Sequence, residues 1–242
     1  MDAELREKLR KIIREANRVV FLGGAGVSTS SGIPDFRSPA GLYHVRSKYG
    51  VPYETMLSHD YLYEHPDTFY DFYWSTMVYP DAEPNLAHKA LAEFEKKHNL
   101  VVVTQNIDGL HQKAGSVKVL EAHGSTARYY CTHCGERFAL EDIPHKGVPT
   151  CPHCGHMIRP DVTMYGEGLD ESTLLTSVKA VELANVLIIG GTSMTVYPIA
   201  ALPDAMKTGI KIIINLEPTP YDRECDYVIH EDLGKALEEL LL

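Results

Sequence analysis

Six short runs in this chain are almost continuously apolar: residues 19–22, 100–103, 117–120, 186–189, 210–214 and 227–229. A strand with one wet face alternates apolar and polar residues. A strand covered on both faces does not, so these runs predict a parallel sheet sandwiched between helices. Helices fit between several of them, at 84–97, 172–184, 198–207 and 233–242. Another is predicted over 2–16, where Leu5, Leu9, Ile12, Ile13 and Ala16 form one stripe. Strands alternating with helices in this way indicate a doubly wound α/β domain, whose strand ends gather on one edge and open a crevice there.

Two stretches break the alternation. Residues 37–83 are rich in Tyr, His and Pro, with helical segments expected near 55–63 and 66–78. Residues 125–160 hold four of the five cysteines, together with Gly and Pro. Both read as excursions from loops on the ligand-binding edge of the sheet.

The cysteines are spaced Cys131-x2-Cys134 and Cys151-x2-Cys154, with 16 residues between the pairs and Cys225 left alone. Each x2 spacing lets one tight turn aim two thiolates at the same ion, and Gly135 and Gly155 follow where such a turn needs unusual dihedrals. Four thiolates close a tetrahedral shell and leave no position for water, so the expected metal is one structural zinc ion. In a reducing compartment this pattern means metal rather than cystine. His133, His153 and His156 lie close by and read as exposed polar residues.

Composition narrows the function further. Lys+Arg 23 against Asp+Glu 33 gives a net charge of −10, whereas phosphate-backbone binding relies on a basic face, so a nucleic-acid role is not expected. No run approaches the roughly 18–20 apolar residues of a membrane span, and the first eighteen residues are dense in charge rather than forming a signal core. The expectation is a soluble, cytoplasmic protein with no membrane partner.

Gly24-Ala25-Gly26 follows the first strand and can open a phosphate-binding turn. It departs from G-x-G-x-x-G, because Thr29 stands at the third glycine and no acidic residue closes a second strand about 20 residues on. Tight packing of strand against helix explains a glycine pair equally well. A second glycine turn, Gly190-Gly191-Thr192-Ser193, follows the strand at 186–189, and Asn215 ends the strand at 210–214. A dinucleotide fits these segments, but hydride chemistry is not specifically indicated.

Further blocks occur in order: Gly24-Ala25-Gly26-Val27-Ser28-Thr29, Gly32-Ile33-Pro34-Asp35-Phe36-Arg37, Thr104-Gln105-Asn106-Ile107-Asp108-Gly109-Leu110-His111, and His123-Gly124. Tyr165-Gly166-Glu167, Gly191-Thr192-Ser193 and Asn215-Leu216-Glu217 come after the paired cysteines. Together they resemble the signature blocks of the sirtuins, NAD-dependent protein deacylases, over essentially the whole chain, and the compact length is similar to prokaryotic members.

The resemblance implies a Rossmann-like domain built from 1–36, 84–124 and 161–242. It implies a small domain made of a helical module, 37–83, and a zinc ribbon, 125–160. It implies NAD and acyl-lysine peptide meeting in the cleft between them, with the peptide added as a β-strand beside Val162, Tyr165, Gly166, Glu167, Val196 and Tyr197. By the same resemblance Ile107 and Asp108 hold the nicotinamide carboxamide, Phe36 covers the ribose face, and Asn106 lies near a water and the ribose. Gly24, Ala25, Gly26, Thr29, Arg37 and Gln105 belong to the phosphate and ribose side. Gly191, Thr192, Ser193, Asn215, Asp232 and Leu233 belong to the adenosine half, although Asp232 before an apolar stripe also reads as a helix N-cap.

His123 is expected to act as general base on a ribose hydroxyl, since an imidazole with pKa ~6.5 accepts protons at neutral pH. The acyl group then passes to ADP-ribose, with free lysine and nicotinamide as the other products. Relatives that favour malonyl or succinyl groups carry a Tyr and an Arg three apart in the helical module. The equivalent stretch here is 72–77, with Tyr73 present and Thr76 in place of the Arg. No Arg occurs from 47 to 127, so neutral acyl groups, acetyl first, are expected, because a carboxylate buried without a cation is costly. Three alternatives stand beside this: an enzyme that transfers ADP-ribose to protein, a zinc-ribbon binding module on a vestigial nucleotide fold, and a dehydrogenase. Nicotinamide release that tracks deacylation separates the first reading from all of them.

Overall fold

The computed structural model describes residues 1–36, 41–42 and 49–242. The predicted sheet is present, with strands β1 (Val19–Gly23), β2 (Leu100–Thr104), β3 (Val119–Glu121), β7 (Val186–Gly190), β8 (Ile210–Ile214) and β9 (Tyr227–Ile229). All pair in parallel in the order β3-β2-β1-β7-β8-β9, with Val20 of β1 level with Val101 on one side and Leu187 on the other. This is the Rossmann-like, doubly wound arrangement, in which winding reverses beside the first strand.

The continuous apolar runs serve two cores at once. Val19, Phe21, Leu100, Val102, Val186 and Ile188 face one side, where they meet α1 (Ala3–Glu15), α5 (Leu86–Glu95) and α8 (Leu233–Leu241). Val20, Leu22, Val103, Leu187 and Ile189 face the other, against α7 (Glu171–Glu182) and the segment 199–205. Helix starts follow local chemistry: the carboxylate or amide of Asp2, Asn85, Asp170 and Asp232 caps α1, α5, α7 and α8 in turn.

Two expectations shift. Residues 198–207 form a 3-10 turn over Ile199–Ala205 rather than an α-helix, since Pro203 within it has no N–H to donate and its ring crowds the preceding turn. The strand predicted at 117–120 begins two residues later. Val117 is 86% exposed, and the Val117 and Lys118 amides donate to the Glu95 carboxylate.

A second sheet is antiparallel and three-stranded, in the order β5-β4-β6, from β4 (Gly124–Cys131), β5 (Arg137–Ala139) and β6 (Ile158–Val162). It packs on the helices α3 (His59–Glu64) and α4 (Pro66–Thr76) through Leu62, Phe69, Tyr70, Tyr73, Tyr129 and Ile158. A short helix, α2 (Tyr53–Met56), precedes them, and α6 (Leu110–Lys113) follows β2. Among the described residues, no helix is long and apolar enough to cross a membrane.

Candidate active site

A cleft of about 1190 Å³ opens over the carboxyl ends of the parallel strands, the place where a doubly wound sheet takes its ligands. Residues 24–30 after β1, 105–108 after β2, His123 after β3, 191–193 after β7, 215–218 after β8 and 232–234 after β9 line it from one sheet. Phe36, Leu57, Thr76 and Met77, with 162–169 after β6, line the opposite wall. Every site residue expected from the sequence is therefore brought to one cavity, except the cysteines, Tyr73 and Arg37, the last of which lies outside the described residues.

The glycines do something more specific than expose backbone. Gly24 N–H donates to Gly190 O at 3.3 Å and Gly26 N–H to Gly191 O at 2.8 Å. A Cβ at Gly26 would sit 2.9 Å from the Gly191 backbone, and one at Gly191 would sit 2.6 Å from Val27 N. The two glycine turns thus lock β1 and β7 together. Gly24 leads into two 3-10 turns, Ala25–Val27 and Thr29–Ser31, and not into a helix N-terminus. Close packing does account for both amides, but it is turn against turn rather than the strand against helix expected.

His123 is half-buried, and its Nδ1 donates to Gln105 O at 2.9 Å, because a carbonyl can only accept. That fixes the tautomer and leaves the lone pair on Nε2. Burial lowers its pKa below the ordinary 6.5, with the Gln105 carbonyl partly opposing, so the ring is neutral at pH 7 and ready to take a proton.

The neighbouring acid is held as firmly. Asn106 Nδ2 donates to Ser28 Oγ at 2.9 Å, Ser28 Oγ donates to Asp108 Oδ2 at 2.6 Å, and Leu110 N–H donates to Asp108 Oδ1 at 2.9 Å. Ser28 is 1% exposed, yet it links two of the expected residues. Its hydroxyl in a glycine-rich turn carried no sign of that role in the sequence. Gln105 Nε2 donates to Thr192 Oγ1 at 3.0 Å across the β1–β7 seam. Asn215 Nδ2 donates to Glu217 O at 2.7 Å, and Asp232 Oδ1 accepts from Lys235 N–H at 2.9 Å as an N-cap while still facing the cleft.

Asn85 was also missed. From the start of α5 its Nδ2 donates to Val27 O at 2.8 Å and Ser31 Oγ at 3.0 Å, tying the 25–31 loop to that helix. Its own N–H donates to His88 Nδ1 at 3.3 Å. His88 Nε2, both ring nitrogens of His111 and Ser116 Oγ are buried side-chain atoms without a partner among the described residues. The two rings lie 4.8 Å apart. Burial pushes His88 down to about 4, the Asp108 charge opposing, and His111 down to about 3, with His88 adding to the effect. Both are neutral, buried imidazoles, and His88 lies within the field of the Asp108 carboxylate.

Tyr73 does not reach the cleft, whereas Thr76 does. Tyr73 is fully buried and its hydroxyl is spent on the Tyr129 hydroxyl at 3.2 Å. Among the described residues lining the cleft there is no Lys or Arg.

The four cysteine sulfurs lie within 4.8 Å of one another, at 3.4 Å for Cys131–Cys154 and 3.7 Å for Cys134–Cys151. A tetrahedron with Zn–S of ~2.3 Å has sulfurs about 3.8 Å apart, so the set fits zinc, while a disulfide needs ~2.05 Å. Gly135 N–H donates to Cys131 O and Gly155 N–H to Cys151 O, and both glycines have φ of +74°. None of the four lines the cleft, which fits a structural ion.

A family model described as Sir2 family matches residues 24–198. A Clostridium acetobutylicum protein named NAD-dependent protein deacetylase is 48% identical over 237 residues, with 97% of each chain covered. A solved Sir2 with a peptide and NAD+ superposes with a TM-score of 0.86 at 35% identity, covering 99% of this chain and 97% of that one. Another, holding a deacetylated peptide and 3'-O-acetyl ADP ribose, gives 0.87 at 36% identity, covering 97% and 96%.

Proposed function

Because the chain belongs to the Sir2 family, we propose that it is an NAD-dependent protein-lysine deacetylase that transfers the acyl group to ADP-ribose and releases nicotinamide. One observation carries the reading: a neutral His123 with its Nε2 lone pair free shares a cleft with the fixed Asn106–Ser28–Asp108 chain.

Bound NAD supplies an electrophilic ribose carbon once nicotinamide departs. Ile107 and Asp108 hold the carboxamide, and Asp108 arrives with both oxygens already oriented, so little reorganisation accompanies binding. Phe36, seated against Met56, Leu57 and Phe72, covers the ribose and excludes water. Thr29 and Gln105 serve the phosphate and ribose side, Thr192, Ser193 and Asn215 the adenosine side. The acyl oxygen of the lysine amide would bond to the ribose carbon that nicotinamide leaves. His123 Nε2 would then remove the proton from a ribose hydroxyl, whose oxygen would bond the acyl carbon. Water would be consumed as the acyl C–N bond to lysine breaks, giving free lysine and O-acyl-ADP-ribose.

The acyl-lysine peptide adds as a strand between 166–167 and 196–197, with the 1–36, 84–124 and 161–242 body on one side and the helical and zinc-ribbon modules, 37–83 and 125–160, on the other. The separate aromatic interior of the second sheet supports this division. Neutral acyl groups are preferred over succinyl or malonyl: Thr76 stands on the cleft wall and Tyr73 is committed to the core, so an acyl carboxylate meets neither partner.

Incubating the protein with NAD and an acetyl-lysine peptide, and following nicotinamide and peptide mass together, tests the reaction. Nicotinamide release matched by loss of the acetyl group is expected; ADP-ribose mass on protein instead overturns the acyl-transfer reading. His123→Ala should lower kcat by roughly 10²–10⁴ while NAD still binds, and near-normal turnover would remove its role as base.

A further inference from the structure

Arg159, which is buried, and Glu167, which is half-buried, form an ion pair that the proposed chemistry leaves without a purpose. Arg159 lies on β6 with its side chain 6% exposed, and that of Glu167 is 19% exposed. Nη1 donates to Glu167 Oε1 at 2.6 Å and Nη2 to Oε2 at 2.9 Å, a two-pronged contact. Nη2 also donates to Val162 O at 3.1 Å and Nε to Pro160 O at 3.4 Å. From the other side Glu167 Oε2 accepts Met164 N–H at 2.8 Å, and Glu167 N–H donates to Met164 O at 3.0 Å. One ion pair therefore spans the end of β6 and the turn after it. Taking two charges out of water costs about as much as their attraction returns, so stability alone is a weak reason for such a pair.

We propose that Arg159 is a positioning residue for the peptide substrate: through Glu167 it holds the end of β6 and the turn after it, residues 162–167, in the shape against which a peptide main chain pairs. This rests on the added-strand reading of peptide binding. The Glu167 carboxylate is held by Arg159 and Met164 N–H, and its own N–H is spent on Met164 O, so what Glu167 offers the peptide is its backbone carbonyl. On its far side the same segment is already tied down, since Tyr165 N–H donates to Leu57 O and His59 N–H to Tyr165 O, both at 2.9 Å. It also frames the base. Gly124 is level with Val162, and Thr163 N–H donates to His123 O at 3.0 Å. The pair thus sets the docking edge and the imidazole in one register.

Steady-state kinetics of wild type, Arg159→Lys and Arg159→Met, with an acetyl-lysine peptide and with the same peptide N-methylated at the main-chain amides flanking the acyl-lysine, test this. Arg159→Met should raise the peptide KM about tenfold, the scale of one to two hydrogen bonds, and leave the NAD KM within about twofold. Arg159→Lys should recover part of the loss. Methylation should weaken the peptide for wild type about tenfold and have little further effect on Arg159→Met. If methylation costs wild type nothing, the added-strand reading fails. If wild type pays and Arg159→Met pays in full as well, or if its NAD KM rises equally, the positioning role is overturned. Should Arg159→Met not fold, Arg159→Met/Glu167→Met leaves no unpaired buried charge and gives the same readout.

Discussion

Along β1, neighbours in sequence belong to different cores: Val19 and Phe21 meet α1, α5 and α8, while Val20 and Leu22 meet α7. Aliphatic side chains, with Phe21 and Phe94 in the first core and Met194 and Met206 in the second, fill both, and none of them carries an N–H or O–H that asks for a partner. The three-stranded sheet is built otherwise. Its interior is Phe69, Tyr70, Tyr73 and Tyr129 beside Cys131 and Cys151, and its polar atoms are individually answered. Tyr70 donates to Ile158 O, the Tyr73 and Tyr129 hydroxyls meet, and Trp74 Nε1 donates to Gly147 O at 2.9 Å. Burial raises the Tyr73 hydroxyl well above its usual pKa and Tyr129 to about 12, so both stay protonated. The contrast teaches that apolar area is enough where a sheet is covered on both faces. A smaller sheet with loops on its surface depends on matched hydrogen bonds and a metal staple.

Removing the staple should open the difference widest. Cys131→Ser should cost the protein its zinc and, since structural zinc is worth about 10 kcal/mol in small folds, amide protection should collapse around Tyr129 and Ile158 while β1 and β7 stay protected. Protection that survives in both sheets after zinc loss would mean that the second sheet holds itself. A cavity in the larger core should do less. Ile188→Ala, at a fully buried position in β7, should cost about 2–5 kcal/mol and lower the melting temperature with the zinc stoichiometry unchanged. Loss of zinc in that variant would show the two regions to be one cooperative unit.

Acid should next distinguish the larger region by its buried imidazoles. His88 and His111 titrate near 4 and 3 in the fold against 6.5 unfolded. Between these values the unfolded chain binds more protons, so stability is full above pH 6.5 and falls as pH drops toward 4. Asp108 facing His88 softens the effect. His111→Phe should flatten the slope of melting temperature against pH in that window, and an unchanged slope would assign it to other groups. The smallest effect concerns Asp232. Asp232→Ala should cost about 1 kcal/mol by uncapping α8, whereas Asp232→Asn should keep the cap; a raised NAD KM in both would show that the carboxylate also meets the cofactor.

Period and spacing carried far in this chain. The apolar runs located β1, β2 and β7 to β9 within a residue, and the two Cys-x2-Cys turns located the metal ligands, because both signals are local. Strands β4 to β6 escaped notice. Gly124–Cys131 is a mixed sequence with exposed Ala127 and Arg128, and its partner β6 lies far along the chain. Ser28, Asn85 and Arg159 escaped for a related reason: a hydroxyl, an amide or a guanidinium is unremarkable until its partner is known. For Ser28 and Asn106 that partner is 78 positions distant.

The sequence by itself determined the class of sheet, the sulfur ligands and the family blocks that converge on the cleft. These depend on side-chain type at fixed short spacings, which the backbone geometry of a strand or a turn translates directly into direction. Only the tertiary structure decided which lone pair of His123 is free, that the Gly24 and Gly26 amides are spent on the neighbouring turn, that Tyr73 belongs to the core, and that Arg159 braces the 162–167 edge. Hydrogen bonds between distant segments exist only once those segments meet, and a buried polar group takes its chemical character from whatever partner the fold delivers.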